Sequence, residues 1–192
     1  MNLAIVDLGY GNIGSIELAF ERLGANGVLT SDPGAIESAD RVVLPGVGAA
    51  GYAMGRIDAL GLRKVLTSLT QPALGICLGM QLLFERSEEA DTECLGIVPG
   101  TVRALVPEPG RPVPHMGWSR LDVSDSAIGL ETGDYVYFAN GYAADPGEAT
   151  VASADYGREI PAVVRRGNWL GAQFHPERSG ETGSRFLKAF LQ

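Results

Sequence analysis

The sequence contains few of the residues that form disulfide frameworks, metal sites or membrane spans. It has two cysteines and two histidines in 192 residues, too few and too irregular for a disulfide framework. No second ligand lies at a suitable spacing from Cys94, so we expect no metal and no cofactor. No apolar run approaches the roughly 20 residues that cross a bilayer. The first residues also lack the basic region of a signal peptide, so a cytoplasmic location is expected.

Positive charge is also scarce. Fifteen Lys and Arg residues face 23 Asp and Glu residues, for a net charge of −8. This balance argues against a sequence-independent grip on nucleic acid or on an anionic membrane. The apolar share of 45% and the length predict one globular domain over residues 1–192.

The first half of the chain alternates apolar strand patterns with helical ones, which predicts an α/β fold. Its sheet is expected to be open and mostly parallel, flavodoxin-like, with helices on both faces. The predicted strands are Leu3–Asp7, Val28–Thr30, Arg41–Leu44 and Ala73–Cys77, and the predicted helices include Tyr52–Leu60 and Leu62–Leu69. Glu85–Glu93 is polar and is expected to be a loop or helix end.

The second half, from Gly96 to Phe174, has short β-like runs separated by Gly and Pro. These runs predict a smaller antiparallel region on or beside the main sheet. The runs are Gly100–Val106, Ser119–Val123, Tyr135–Ala139, Ala149–Ala154, Ala162–Arg166 and Trp169–Phe174. A final helix is expected from Ser179 or Gly180.

The most informative stretch joins the strand Ala73–Cys77 to a helix that starts near Gly79. Its pattern Gly75-x-Cys77-x-Gly79 has the spacing of a nucleophile elbow, with sulfur in place of the serine oxygen. A helix start beside the sulfur favours the thiolate. A buried core cysteine is the simpler alternative, but the two flanking glycines favour a nucleophile.

The predicted base of this nucleophile is His175, in the segment Phe174-His-Pro-Glu177. Proline holds the preceding residue extended, so His175 and Glu177 should project to the same side. One imidazole nitrogen can then bind the carboxylate while the other faces Cys77. The three residues are therefore predicted to form a Cys77–His175–Glu177 triad.

A glycine-rich turn, Pro45-Gly-Val-Gly48, follows the neighbouring strand. Such a turn can aim the N–H of Val47 at a developing oxyanion, with the N–H of Leu78 as second donor. A simple turn without function is the alternative.

A second glycine pattern, Gly9-x-Gly11-x-x-Gly14, matches a dinucleotide-binding fingerprint, with Asp32 near the spacing of a ribose-binding acid. The charge of Asp7 would oppose a pyrophosphate there, and the elbow cysteine would remain unexplained. A tight turn capped by Asn12 or Ser15 is therefore preferred.

Together, Gly-Ile-Cys77-Leu-Gly-Met-Gln81 and Phe-His175-Pro-Glu177 resemble the signature segments of class I (triad) glutamine amidotransferases. Further segments resemble the glutaminase subunits of imidazole glycerol phosphate synthases within that family. They are Asp7–Ser15, Leu44–Gly48, Leu95–Gly100, Pro114–Trp118 and His175–Ser179. Other synthases of the family usually lack Pro-His-Met-Gly-Trp.

The resemblance implies a glutaminase that passes ammonia from glutamine to a TIM-barrel cyclase subunit. It assigns glutamine binding to Gly46, Gly48, Gln81, Glu89, Gly141 and Tyr142, and the cyclase interface to Tyr10, Asn12, Trp118 and Arg178. The chain has Asn140-Gly141-Tyr142 where the family usually has His-Ser-Tyr or His-Thr-Tyr, and Arg178 where lysine is common.

The alternatives are an amidotransferase subunit of another synthase, a cysteine hydrolase or redox sensor that needs no partner, a nucleotide-binding module and an inactive regulatory homologue.

Overall fold

A mixed sheet of nine strands runs through the protein in the computed structural model, which describes residues 1–11 and 13–192; the predictions for Asn12 lie outside these residues. The strands are β1 Leu3–Val6, β2 Gly27–Thr30, β3 Arg41–Gly46, β4 Ala73–Cys77, β5 Phe84–Ser87, β6 Thr92–Glu93, β7 Val98–Ala104, β8 His115–Val123, β9 Tyr135–Asn140, β10 Tyr142–Ala144, β11 Thr150–Asp155, β12 Glu159–Arg166 and β13 Trp169–Ala172. The helices are α1 Gly14–Arg22, α2 Pro33–Ser38, α3 Ala50–Ala59, α4 Leu62–Ser68, α5 Leu78–Gln81 and α6 Gly180–Phe190.

The strand order of the large sheet is β2-β1-β3-β4-β13-β12-β11-β8-β9. Neighbours are parallel from β2 to β13 and antiparallel from β13 to β9. The α/β fold class is confirmed, but most of the late strands extend the main sheet instead of packing beside it. They do so because β13 pairs with the free edge of β4, and β12 continues from there.

A second sheet has four strands in the order β10-β7-β5-β6. It includes Phe84–Ser87 and Thr92–Glu93, so the prediction that Glu85–Glu93 is a loop or helix end is wrong for most of this segment. The polar side chains here gave no strand signal. The segment is held instead by backbone pairing with β7 and between β5 and β6.

Helices cover both faces of the large sheet. One buried cluster contains Ile36 of α2, Ile57 of α3 and Leu66 of α4, and the other contains Phe20 of α1 and Phe186 of α6. Burial of these large apolar side chains is the main stabilising contribution of both layers. Among the described residues, no helix is long and apolar enough to span a membrane.

Glycines let the short helix α5 lie directly on the strand ends. A Cβ on Gly46 of β3 would lie 2.3 Å from the backbone nitrogen of Gly79, and one on Gly75 of β4 would lie 2.6 Å from the Gly79 carbonyl oxygen. A Cβ on Gly79 itself would lie 1.9 Å from the carbonyl oxygen of Leu44. Real carbon atoms cannot approach so closely, so these positions require glycine.

We predict that Gly79→Ala lowers the free energy of unfolding by about 2 kcal/mol or more, because the new methyl group overpacks a rigid backbone contact. The matched control is Gly55→Ala on the exposed side of α3, where an added Cβ meets nothing within 4 Å. This control should be stabilised by about 0.5–1 kcal/mol through helix propensity. Urea unfolding of both variants checks the contrast, and equal stabilities would contradict it.

Candidate active site

Cys77 ends β4 in a sharp turn. Its backbone has φ 54° and ψ −112°, and a residue with a Cβ rarely adopts a positive φ. Such strain costs on the order of 1–3 kcal/mol and persists only where the surroundings enforce it. Here the next residue, Leu78, already begins α5, which packs closely against the glycines at the ends of β3 and β4. The turn leaves the Cys77 side chain 7% exposed at the carboxyl ends of the parallel strands.

His175 and Glu177 follow β13 at the same edge of the sheet. The Nδ1 atom of His175 lies 2.7 Å from Oε1 of Glu177. The two side chains are 14% and 6% exposed, so the pair is largely shielded from water. The backbone fixes the pair too, because the His175 N–H donates to the carbonyl of Tyr137, and the Ser179 hydroxyl donates to the carbonyl of His175.

The electrostatics of the site favour a charged imidazole. Burial is the largest influence on His175 and lowers its pKa. Interactions with Cys77 and with the hydrogen-bonded carboxylate of Glu177 outweigh burial and hold the pKa of His175 well above its usual range. The structure therefore brings the three predicted triad residues together, with His175 hydrogen-bonded to Glu177 and under the electrostatic influence of Cys77.

The predicted oxyanion segment lies beside the cysteine. Gly46, the last residue of β3, is the cross-strand partner of Cys77. Val47, which follows it, therefore lies next to the turn at Cys77. As the first residue of α5, Leu78 has an N–H with no acceptor within the helix. Glu89 lies just beyond this segment, at the start of α3, where its carboxylate accepts a hydrogen bond of 2.7 Å from the N–H of Ala50.

Gln81 belongs to a buried chain of amides. Its Nε2 donates to the carbonyl of Tyr142 and to Oε1 of Gln173, both at 2.9 Å. The Tyr142 carbonyl also accepts from Nδ2 of Asn140. Gly141 is anchored separately, through a bond from the Leu105 N–H to its carbonyl. The predicted glutamine-binding residues of this region are thus held by backbone carbonyls.

Sequence reasoning did not include Gln173 among the site residues. It is fully buried, and its Nε2 lies 4.0 Å from the sulfur of Cys77. A signal was present, since this glutamine interrupts the otherwise apolar run Trp169–Phe174.

The predicted interface residues fall in two groups near the site, of which Trp118 and Arg178 are exposed and Tyr10 is partly buried. Trp118 is 54% exposed and meets Tyr137 edge-on with ring centroids 6.0 Å apart, while the Arg178 guanidinium stacks over the same Tyr137 ring. Tyr10 contacts the ring of Tyr52, which is 59% exposed.

The residues of the dinucleotide fingerprint have other roles. The Asp32 carboxylate caps α2 by accepting from the N–H of Ala35, and the Asp7 carboxylate accepts from the N–H of Gly9. Capping of the turn by Ser15 is wrong, because Ser15 lies inside α1, whose N-cap is Ile13 without a side-chain hydrogen bond.

Comparison with known families supports the same chemistry. The model of the glutamine amidotransferase class-I family matches residues 5–192. The chain belongs to the class-I glutamine amidotransferase family. Members of this family are enzymes that hydrolyse glutamine, and in this chain Cys77, His175 and Glu177 lie together at one edge of the large sheet.

Curated relatives match the amidotransferase over its whole length. It is 51% identical over 194 residues to imidazole glycerol phosphate synthase subunit HisH of Xanthomonas axonopodis pv. citri, covering 100% of this chain and 97% of the relative. A relative of the same name from Idiomarina loihiensis is 46% identical, with coverages of 100% and 98%.

Solved structures agree in fold. A crystal structure of a glutamine amidotransferase aligns with a TM-score of 0.78 at 18% identity, covering 100% of this chain and 97% of that one. The crystal structure of a putative GMP synthase protein from Thermoplasma acidophilum aligns with a TM-score of 0.75 at 18% identity, with coverages of 100% and 92%.

We predict that the two histidines titrate far apart. Burial lowers the pKa of His115 to about 4, whereas His175 should stay protonated at neutral pH. Glu177→Gln should lower the pKa of His175, because it removes the adjacent negative charge, and should leave His115 unchanged. Ring-resonance NMR titration of the full chain measures both.

Glu181→Gln is the matched control, since Glu181 is exposed in the first turn of α6. An unchanged His175 midpoint in Glu177→Gln would contradict the role of Glu177.

Proposed function

We propose that this chain is the glutaminase subunit of an imidazole glycerol phosphate synthase. It hydrolyses glutamine to glutamate and ammonia and delivers the ammonia to a cyclase subunit, which forms imidazole glycerol phosphate and AICAR in histidine biosynthesis. The observation that carries the chemistry is the strained Cys77 turn beside the His175–Glu177 pair. The identity of about half of all residues with subunits HisH supports the choice among synthases.

In the first half-reaction, the Cys77 sulfur attacks the carbon of the glutamine side-chain amide. The negative charge that develops on the amide oxygen is stabilised by the N–H groups of Val47 and Leu78. His175 is already protonated, so it gives its proton to the departing nitrogen as the carbon–nitrogen bond breaks. Ammonia leaves, and a γ-glutamyl thioester remains on Cys77.

In the second half-reaction, the now neutral His175 removes a proton from water. The resulting hydroxide attacks the thioester carbon, the carbon–sulfur bond breaks, and glutamate leaves. Cys77 departs as thiolate, and His175 again carries a proton. Glu177 stabilises that charge and fixes the imidazole ring through Nδ1.

Glutamine itself would be held by the amide chain and by the neighbouring acid. Both N–H groups of Gln81 are used by Tyr142 and Gln173, so its Oε1 is the atom left to accept from a glutamine α-amino group. Glu89 adds a negative charge at the N-terminus of α3, where it accepts from the N–H of Ala50. We assign Gly46, Gly48 and Gly141 to the backbone walls of this pocket.

The cyclase partner would dock over the exposed groups that flank the site. Arg178 directly follows Glu177, and Tyr137, which it stacks on, accepts the backbone hydrogen bond of His175. On the other side, a Cβ on Gly11 would lie 2.6 Å from Val47, so the loop at Tyr10 and Gly11 packs against the oxyanion segment. A partner that contacts both groups touches the two ends of the catalytic machinery.

This arrangement leads us to propose partner-dependent activity. Glycines on both sides of Val47 permit backbone conformations that other residues rarely adopt, and the loop at Tyr10 and Gly11, which would face the partner, packs against the Val47 side chain. Docking would select the orientation in which the Val47 N–H faces the oxyanion. Ammonia would then be released only when the cyclase can use it.

We predict that glutamate release from glutamine is low for the purified chain and rises steeply when the cyclase and its nucleotide substrate are added. Cys77→Ala should abolish this release, because the thioester cannot form. The same variant complex should still make imidazole glycerol phosphate from added ammonia. Release of glutamate by Cys77→Ala would overturn the mechanism, and equal release with and without the partner would point to a hydrolase that needs none.

We predict that Trp118→Ala weakens cyclase binding by about tenfold or more, as for a central aromatic residue of an interface. The control is Val28→Ala, which is also exposed but lies on β2, at the opposite edge of the nine-stranded sheet. Calorimetric titration with the cyclase measures both affinities. If both variants bind as tightly as the native chain, the docking surface lies elsewhere.

A further inference from the structure

Gln173 is a buried polar residue beside Cys77 to which the mechanism above gives no role of its own. It follows β13, beside the end of β4, and its side chain has no exposed surface. Its Oε1 accepts from Gln81 at 2.9 Å, and its Nε2 faces the Cys77 sulfur at 4.0 Å. An amide is costly to bury unless its polar atoms have partners.

The direction of this amide is dictated by the backbone. A carbonyl can only accept, so the bond to the Tyr142 carbonyl requires that Gln81 presents its Nε2. The other hydrogen of that nitrogen then points at Gln173 and requires an oxygen there. Gln173 must therefore turn its own N–H groups toward Cys77, and the reversed amide would place two donors against each other.

The Gln173 amide is the donor that the structure places against the sulfur of Cys77. His175 also interacts electrostatically with Cys77. Hydrogen-bond donors stabilise the charged form of an acid more than its neutral form. An N–H at 4.0 Å is a weak donor to a thiol and draws closer to a thiolate, whose full charge attracts it more strongly.

We propose that Gln173 is a positioning residue that couples the nucleophile to the glutamine pocket. Its N–H group supports the thiolate of Cys77, and its Oε1 fixes the orientation in which Gln81 receives glutamine. The second half of this statement rests on the proposed function, whereas the first half concerns only the cysteine. One side chain thereby serves both the reacting atom and substrate binding.

The test is the pH dependence of Cys77 alkylation by iodoacetamide in the full chain, followed by mass spectrometry of the Cys77 peptide. Gln173→Met keeps the length of the side chain but removes both polar atoms. We expect the pH of half-maximal alkylation of this variant to rise by on the order of one unit, because the variant lacks one charge-assisted hydrogen bond to the thiolate. Gln192→Met, at the exposed carboxyl terminus, should leave the profile unchanged.

In the complex with substrate-loaded cyclase, Gln173→Met should also raise the KM for glutamine severalfold, because Gln81 is no longer held. A merely structural role would lower the amount of folded protein without moving the alkylation midpoint. An unchanged midpoint in folded Gln173→Met would overturn the inference. If the native chain with loaded cyclase released no glutamate while the midpoint still moved, the proposed function would fail and the role of Gln173 toward Cys77 would stand.

A second measurement needs no variant at Gln173. The side-chain amide NMR signal of Gln173 in the native chain should shift when Cys77 is alkylated, since the acceptor of its N–H changes. Gln71 is an internal control, because its amide donates to the carbonyl of Ile36, away from the site. A Gln173 signal that stays as still as that of Gln71 would also overturn the inference.

Discussion

The active site depends on one close approach, that of α5 to the ends of β3 and β4. Gly46, Gly75 and Gly79 leave no Cβ between them, so the helix can begin one residue after Cys77. This contact forces the positive φ of Cys77 and places Leu78 beside the segment at Val47. The strain at Cys77 is offset by the burial of the two apolar layers that hold the strands and helix in place.

The local parts of this arrangement could be predicted from the sequence. The elbow glycines, the His-x-Glu spacing and the strand–helix alternation are all patterns within a few residues. The helix α2 was missed although Asp32 and Pro33 carry a cap and first-turn signal, because Asp32 also matched the fingerprint spacing. A side chain with two plausible roles is settled by its hydrogen bonds, which the sequence does not contain.

The long-range parts could not be predicted. Whether a short strand extends the main sheet or forms a second one depends on which strand edges remain free. The segment Phe84–Ser87 has no alternation of apolar and polar residues that would predict a strand. The chain of buried amides also depends on long-range strand pairing. Gln173 meets Gln81 and Cys77 only because β13 pairs with β4 after a long excursion of the chain. The orientation of its amide group follows from the hydrogen bond between Gln81 and the carbonyl of Tyr142, which a sequence motif does not specify.

The two cysteines show how far surroundings decide chemistry. Both are buried, Cys77 as the last residue of β4 and Cys94 directly after β6. Around Cys94, burial raises the pKa of the thiol to about 11, and the nearby Arg63 donates to the Cys94 carbonyl. Around Cys77, an imidazole held by a carboxylate and an amide with a fixed direction face the sulfur. The surroundings that distinguish Cys77 from Cys94 therefore come from the segment that follows β13, so a change that displaces this segment alters the environment of Cys77 without replacing Cys77 itself.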